Sequence, residues 1–162
     1  MEDFVESLGE RPLIRPGEEI SPYRDRLTID VDEGLYLMAP REFLNNIFHD
    51  LLRNAFMYSE PGTPVIIRGV SASQGRHVEF SIIDQGYGIR AKETDRIFEP
   101  FSRARQPQVL RATGYGLSLY LVKSEIEALG GRIWFESEEG VGATFSFKLP
   151  AYVKEGNEQA RV

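Results

Sequence analysis

At 162 residues, with 41% hydrophobic and 27% charged side chains, the chain is sized for one globular domain with a real core, and its composition is neither disordered nor fibrous. Zero cysteines exclude disulfides, thiol catalysis and thiolate metal sites and agree with a reducing compartment, while two histidines argue against zinc. The net charge of −6 argues against nucleic acid as a partner, and no apolar run reaches the roughly 18 residues of a membrane span.

The opening Met1-Glu2-Asp3-Phe4 is acidic, unlike a signal peptide, and a cytoplasmic setting is expected. Residues 1–22 mix charges with Pro12, Pro16 and Pro22 and read as a linker or the end of an upstream element. Arg26 to Val31 and Leu35 to Met38 are short β-prone runs around Asp32, Glu33 and Gly34, which predicts a hairpin. Pro40 suits the first position of a helix, where its missing N–H costs nothing. That helix runs to about Tyr58, with apolar Phe43, Ile47, Leu51 and Ala55 in one row and polar Asn46, Asp50 and Asn54 in another. Pro61-Gly62 breaks it, and the runs Val65 to Val70 and Val78 to Asp84 predict a second hairpin.

Lys92 to Glu99 reads as a short helical stretch. Ser102 to Thr113 has no clean period, and an irregular loop of that length in a compact domain is more often a functional lid than an accident. It carries Arg103, Arg105 and Arg111 and no acid, a local site for a polyanion such as a triphosphate. Leu117 to Leu129 predicts an amphipathic helix with Leu117, Leu121, Val122, Ile126 and Leu129 inward, stopped by Gly130-Gly131. Arg132 to Glu136 and Thr144 to Leu149 predict a last strand pair, and residues 151–162 a disordered tail. Hairpins alternating with helices predict an α+β two-layer sandwich, a mixed sheet with helices on one face, over residues 23–150.

The chemistry concentrates in the glycine-spaced turns. Asp84 ends an apolar strand and enters Gly86-Tyr87-Gly88, where a carboxylate can accept a hydrogen bond from the amino group of adenine; guanine would present an acceptor there. An aspartate capping a turn is the structural alternative. Gly86 and Gly88 would let backbone approach the base, with Ile89 and Tyr58 as candidates to cover its faces, although a lone tyrosine is also an ordinary core residue. Asn54 offers a neutral amide oxygen, and one such ligand suffices for magnesium that also touches nucleotide phosphates. Gly114 and Gly116 precede a helix starting near Leu117, whose free N–H groups suit phosphate. Thr144, after Gly140 and Gly142, is a candidate to brace Asp84 or to reach the base through water. His49 and His77 read as structural.

Taken in order, Asp50-Leu51-Leu52-Arg53-Asn54-Ala55, Asp84-Gln85-Gly86-Tyr87-Gly88-Ile89, Ile97-Phe98-Glu99-Pro100-Phe101, Gly114-Tyr115-Gly116-Leu117 and Gly140-Val141-Gly142-Ala143-Thr144 resemble the N, G1, F, G2 and G3 boxes of sensor histidine kinase ATP-binding domains. These domains belong to the GHKL superfamily. The resemblance spans about Pro22 to Pro150 and implies the Bergerat ATP-binding fold, ATP and Mg2+ as cofactors, Asn54 as magnesium ligand and Asp84 as adenine reader. It also implies a lid from about Ser102 to Thr113 with Arg103 on the γ-phosphate. The partners it implies are a separate dimerisation and phosphoacceptor domain, which bears the histidine, and a downstream response regulator. Asp50 stands where the family usually has asparagine, Met57 where it has lysine, Ser118 where glycine is common, and Ala143 where threonine is common. In hydrolysing relatives a carboxylate four residues before the asparagine activates water, so Asp50 is also a candidate general base. An autonomous ATPase and a nucleotide-binding scaffold without transfer activity therefore stand beside the kinase reading.

Overall fold

Residues 23–102 and 115–152 are described by the computed structural model of the chain; readings made on residues 1–22, 103–114 and 153–162 lie outside them. In chain order come a one-turn helix α1 (Tyr23–Arg26), β1 (Leu27–Val31), α2 (Arg41–Tyr58), β2 (Val65–Ala72), β3 (His77–Asp84) and a 3-10 helix (Ala91–Arg96). Helix α3 (Ser118–Ala128) and strands β4 (Arg132–Glu138) and β5 (Gly142–Pro150) complete the domain. The strands form a mixed five-stranded sheet in the order β1-β2-β3-β5-β4, antiparallel except for the β1–β2 pair. Helices α2 and α3 pack on each other and on the sheet, the α+β sandwich expected from the sequence.

Strand alternation builds the core. Val65 and Ile67 of β2, Val78, Phe80 and Ile82 of β3, and Phe145, Phe147 and Leu149 of β5 are all buried. They meet Ile47, Phe48, Leu51, Leu52 and Ala55 of α2 and Val122 and Ile126 of α3. Phe48, Phe80 and Phe147 form an aromatic cluster with ring centroids 5.0 to 5.5 Å apart.

Three expectations change. Leu35 to Met38 does not form a hairpin with β1: Leu37 makes a single bridge to Ala151, and β1 pairs in parallel with β2. A parallel partner requires a crossover, which α2 supplies, so β1-α2-β2 is one unit. The chain stays paired past Pro150, because the Tyr152 N–H donates to the Tyr36 carbonyl at 2.9 Å. Leu121 faces outward at 51% exposed, since α3 buries only the narrow stripe through Val122 and Ile126.

Candidate functional site

One row of the sheet sets the site. Leu27, Val65, Asp84 and Ala143 stand opposite one another at the end of β1, β2, β3 and β5, so Asp84 continues the buried face Val78-Phe80-Ile82 beyond the apolar core. Asp84 is 8% exposed, and the Ala143 N–H donates to its Oδ1 at 3.3 Å. Burial pushes the Asp84 carboxyl up to about 6, opposed by the N–H groups of Ala143 and Gly86 and by the positive charge of Arg26. The brace expected from Thr144 comes instead from the backbone of Ala143. Thr144 pairs with Ile83, and its side chain therefore lies on the sheet face opposite Asp84.

The glycine turns close this end of the molecule by backbone contact. A Cβ on Gly86 would lie 2.2 Å from the Tyr58 carbonyl oxygen, and that oxygen accepts the Tyr87 N–H at 2.9 Å. Gly142, at φ +145°, would place a Cβ 2.1 Å from the Asp84 carbonyl oxygen. A Cβ on Gly88 would meet the Glu138 carbonyl in the same way. These glycines thus have a packing reason independent of any ligand. Tyr58 ends α2 and contributes its carbonyl to the turn, with its ring half-buried at the margin. Ile89 is held by a 2.9 Å bond from its N–H to Ser137 Oγ, and that hydroxyl donates to the Gly142 carbonyl at 2.8 Å.

On α2, Asn54 is 8% exposed and continues the buried stripe of Ile47 and Leu51, so its amide reaches the inner side of the helix. Asp50, one turn earlier, is half-buried, with Oδ1 3.3 Å from His49 Nδ1. Across the α2–α3 contact, burial pushes the Glu125 carboxyl up and the Asp50 carboxylate adds to this, against a hydrogen bond with Asn46. Among the described residues no group of three His, Cys, Asp or Glu is arranged to hold a metal ion. What α2 presents on its inner side is the neutral amide of Asn54.

Gly116 lies at φ +71° with its missing Cβ against the Ser102 carbonyl, which brings the two flanks of residues 103–114 together. Leu117 occupies the N-cap of α3 without a side-chain cap bond, so the first-turn N–H groups of that helix carry no capping side chain. Gly114 and Arg103 fall outside the described residues.

Arg26 reads in the sequence only as the start of a β-prone run, whereas it ends α1 and β1 begins at Leu27. It is 6% exposed at the start of the Leu27-Val65-Asp84 row, donating through Nε to the Thr63 carbonyl at 2.7 Å and through Nη2 to Ser59 Oγ. No local pattern marks it, because its partners lie more than thirty residues away.

Residues 39–153 match the family described as histidine kinase-, DNA gyrase B- and HSP90-like ATPase. The adaptive-response sensory kinase SasA of Parasynechococcus marenigrum (strain WH8102) is 36% identical over 123 residues, covering 75% of this chain and 31% of that protein. Sensor histidine kinase WalK of Bacillus subtilis (strain 168) is 30% identical over 119 residues, 74% of this chain and 20% of that one. The chain thus spans about a third or less of these curated relatives. Among solved structures, full-length ShkA in complex with AMPPNP aligns with a TM-score of 0.68 at 26% identity, over 94% of this chain and 29% of that one. The mycobacterial sensor histidine kinase MprB shares the fold at a TM-score of 0.69 and 23% identity, over 93% of this chain and 92% of that chain. The glycine turns, the buried Asp84 and Asn54, and the match over 39–153 agree: the chain belongs to the histidine kinase-, DNA gyrase B- and HSP90-like ATPase family.

Proposed function

We propose that this domain binds Mg·ATP and presents the γ-phosphate to a histidine on a separate dimerisation and phosphoacceptor domain, in a sensor histidine kinase that signals to a response regulator. The observation that carries the reading is the buried Asp84 carboxylate, fixed by the Ala143 N–H at the end of the sheet. A carboxylate so placed accepts from the adenine amino group and selects against guanine. Relatives named as sensor histidine kinases, and a structural neighbour described with bound AMPPNP, support the same assignment. ATP is supplied in the cytoplasm, where we place the domain.

Asn54 would hold the magnesium ion, which when bound neutralises phosphate charge. The chain's own part is positioning. Asp84 orients the adenine, with Ile89 and Tyr58 flanking the base, and the N–H groups at the start of α3 face the phosphates with Gly114, Gly116 and Leu117. Arg103, outside the described residues, would contact the γ-phosphate. The test is ATP affinity by calorimetry for wild type, Asp84→Asn and Asn54→Ala. Loss of binding in Asp84→Asn and at least about tenfold weakening of Mg·ATP in Asn54→Ala are expected. Unchanged affinity in both would overturn the site.

A further inference from the structure

Arginine is seldom buried, because desolvating the guanidinium is costly unless every donor finds a partner. Arg26 is 6% exposed, and its donors reach the Thr63 carbonyl, Thr63 Oγ1 at 3.4 Å and Ser59 Oγ, while its guanidinium carbon sits 5.2 Å from the Phe56 ring centroid. All of these partners are neutral. The opposite charge that acts on Arg26 is Asp84, and Arg26 acts on Asp84 in turn. The backbone puts them at the same end of the sheet: Leu27, the next residue, stands in the same row as Val65 and Asp84. Ser59, held by Arg26, also bridges Gly86 two residues beyond Asp84.

We propose that Arg26 is a positioning residue of the nucleotide site, tying the end of α2 to the Asp84–Gly86 turn and holding a buried positive charge at the end of the sheet where Asp84 stands. This rests on the reading of Asp84 as the adenine acceptor. The argument is one of charge balance. Burial favours the protonated carboxyl, and a protonated Asp84 would offer the adenine amino group a neutral, weaker acceptor beside an O–H donor in place of the carboxylate. Around Asp84, α1 contributes Arg26, the end of α2 contributes Tyr58 and its carbonyl, and β5 and the glycine turn contribute the N–H groups of Ala143 and Gly86. The Ala143 and Gly86 N–H groups oppose burial most, and Arg26 adds the one full positive charge that also favours the acceptor form.

The experiment uses the whole chain and two readouts. The Asp84 carboxyl is titrated by carbon-13 NMR without nucleotide, and ADP affinity is measured across pH 5 to 9 for wild type, Arg26→Gln and Arg26→Lys. Arg26→Gln is expected to raise the Asp84 midpoint above its value of about 6. The pH below which ADP binding fails should rise with it, by about tenfold in affinity for each pH unit on the acid side. Arg26→Lys, which keeps the charge and loses the fork, is expected to restore the midpoint while ADP affinity stays below wild type. An unchanged Asp84 midpoint in Arg26→Gln overturns the proposal. A raised midpoint with an unmoved ADP profile overturns the adenine reading on which it rests. If Arg26→Gln does not fold, Arg26→Lys decides: wild-type ADP affinity overturns the positioning role, and reduced affinity at a wild-type midpoint supports it.

Discussion

Asp84 carries an opposition between stability and function. Its carboxyl titrates at about 6 in the folded chain against an ordinary value of 3.8, with burial as the main cause. The folded state therefore holds this proton more tightly than the unfolded chain does. The stabilising contribution is complete below pH 3.8 and is lost as pH rises through 6, a loss of about 3 kcal/mol for a displacement of about two pH units. Asp84→Asn keeps an oxygen to accept the Ala143 N–H and removes the buried charge. The mutant should therefore be more stable than wild type at pH 7.5, by about 1–3 kcal/mol in urea unfolding, with the gap closing toward pH 4, while its nucleotide binding should be lost. A mutant less stable at pH 7.5 would show that the ionised carboxylate makes net favourable contacts and would sink this account. The wild-type protein should lose ATP affinity as pH falls through 6, because protonation removes the charged acceptor and puts an O–H donor beside the adenine amino group.

The β4–β5 hairpin shows how an element sets the site without touching a ligand. Gly140 at φ +80° opens onto empty space, whereas Gly142 at φ +145° backs directly onto the Asp84 carbonyl. Gly140→Ala should cost about 1–2 kcal/mol, the strain of a left-handed residue. Gly142→Ala adds a clash with main chain that no rotamer change relieves, and should cost at least about 2 kcal/mol more, together with a loss of ATP affinity. Equal unfolding midpoints for the two variants would refute the role given to this close approach. The sequence shows such glycines as spaced pairs but not what they pack against. It likewise shows α2 and the β2–β3 hairpin, because their periods are local. It misplaces the partner of β1, since alternation within Leu35–Met38 reveals nothing about pairing and the true partner lies across a helix. Arg26 and the Ala143 brace are invisible for the same reason: a strand's register fixes them, and register depends on residues far along the chain. Asp84 and Asn54 stand out as candidates because the pattern around each is compact in sequence, and the structure buries both.

At the scale of the whole molecule the question is whether the site hydrolyses ATP or holds it for another domain. Hydrolysis needs a base aimed at water beside the γ-phosphate. Asp50 stands one turn before Asn54, but its carboxylate lies 3.3 Å from the His49 ring nitrogen and faces the Glu125 carboxyl across the α2–α3 contact. Its side chain is also a methylene shorter than glutamate. The His49 contact occupies one Asp50 oxygen and the neighbouring Glu125 carboxyl adds negative charge beside it; the chain covers a third or less of relatives named as sensory kinases, which leaves room for an acceptor elsewhere in such proteins. The purified chain should therefore bind Mg·ATP and release phosphate no faster than a blank, with Asp50→Asn indistinguishable from wild type. When a helical acceptor domain bearing a histidine is added, γ-labelled phosphate should move to it as an acid-labile, base-stable adduct, and Asp84→Asn should abolish the transfer. Turnover by the chain alone that disappears in Asp50→Asn would reverse the conclusion. The carboxylate would then be a working base despite its restraints, and the domain would be an ATPase in its own right.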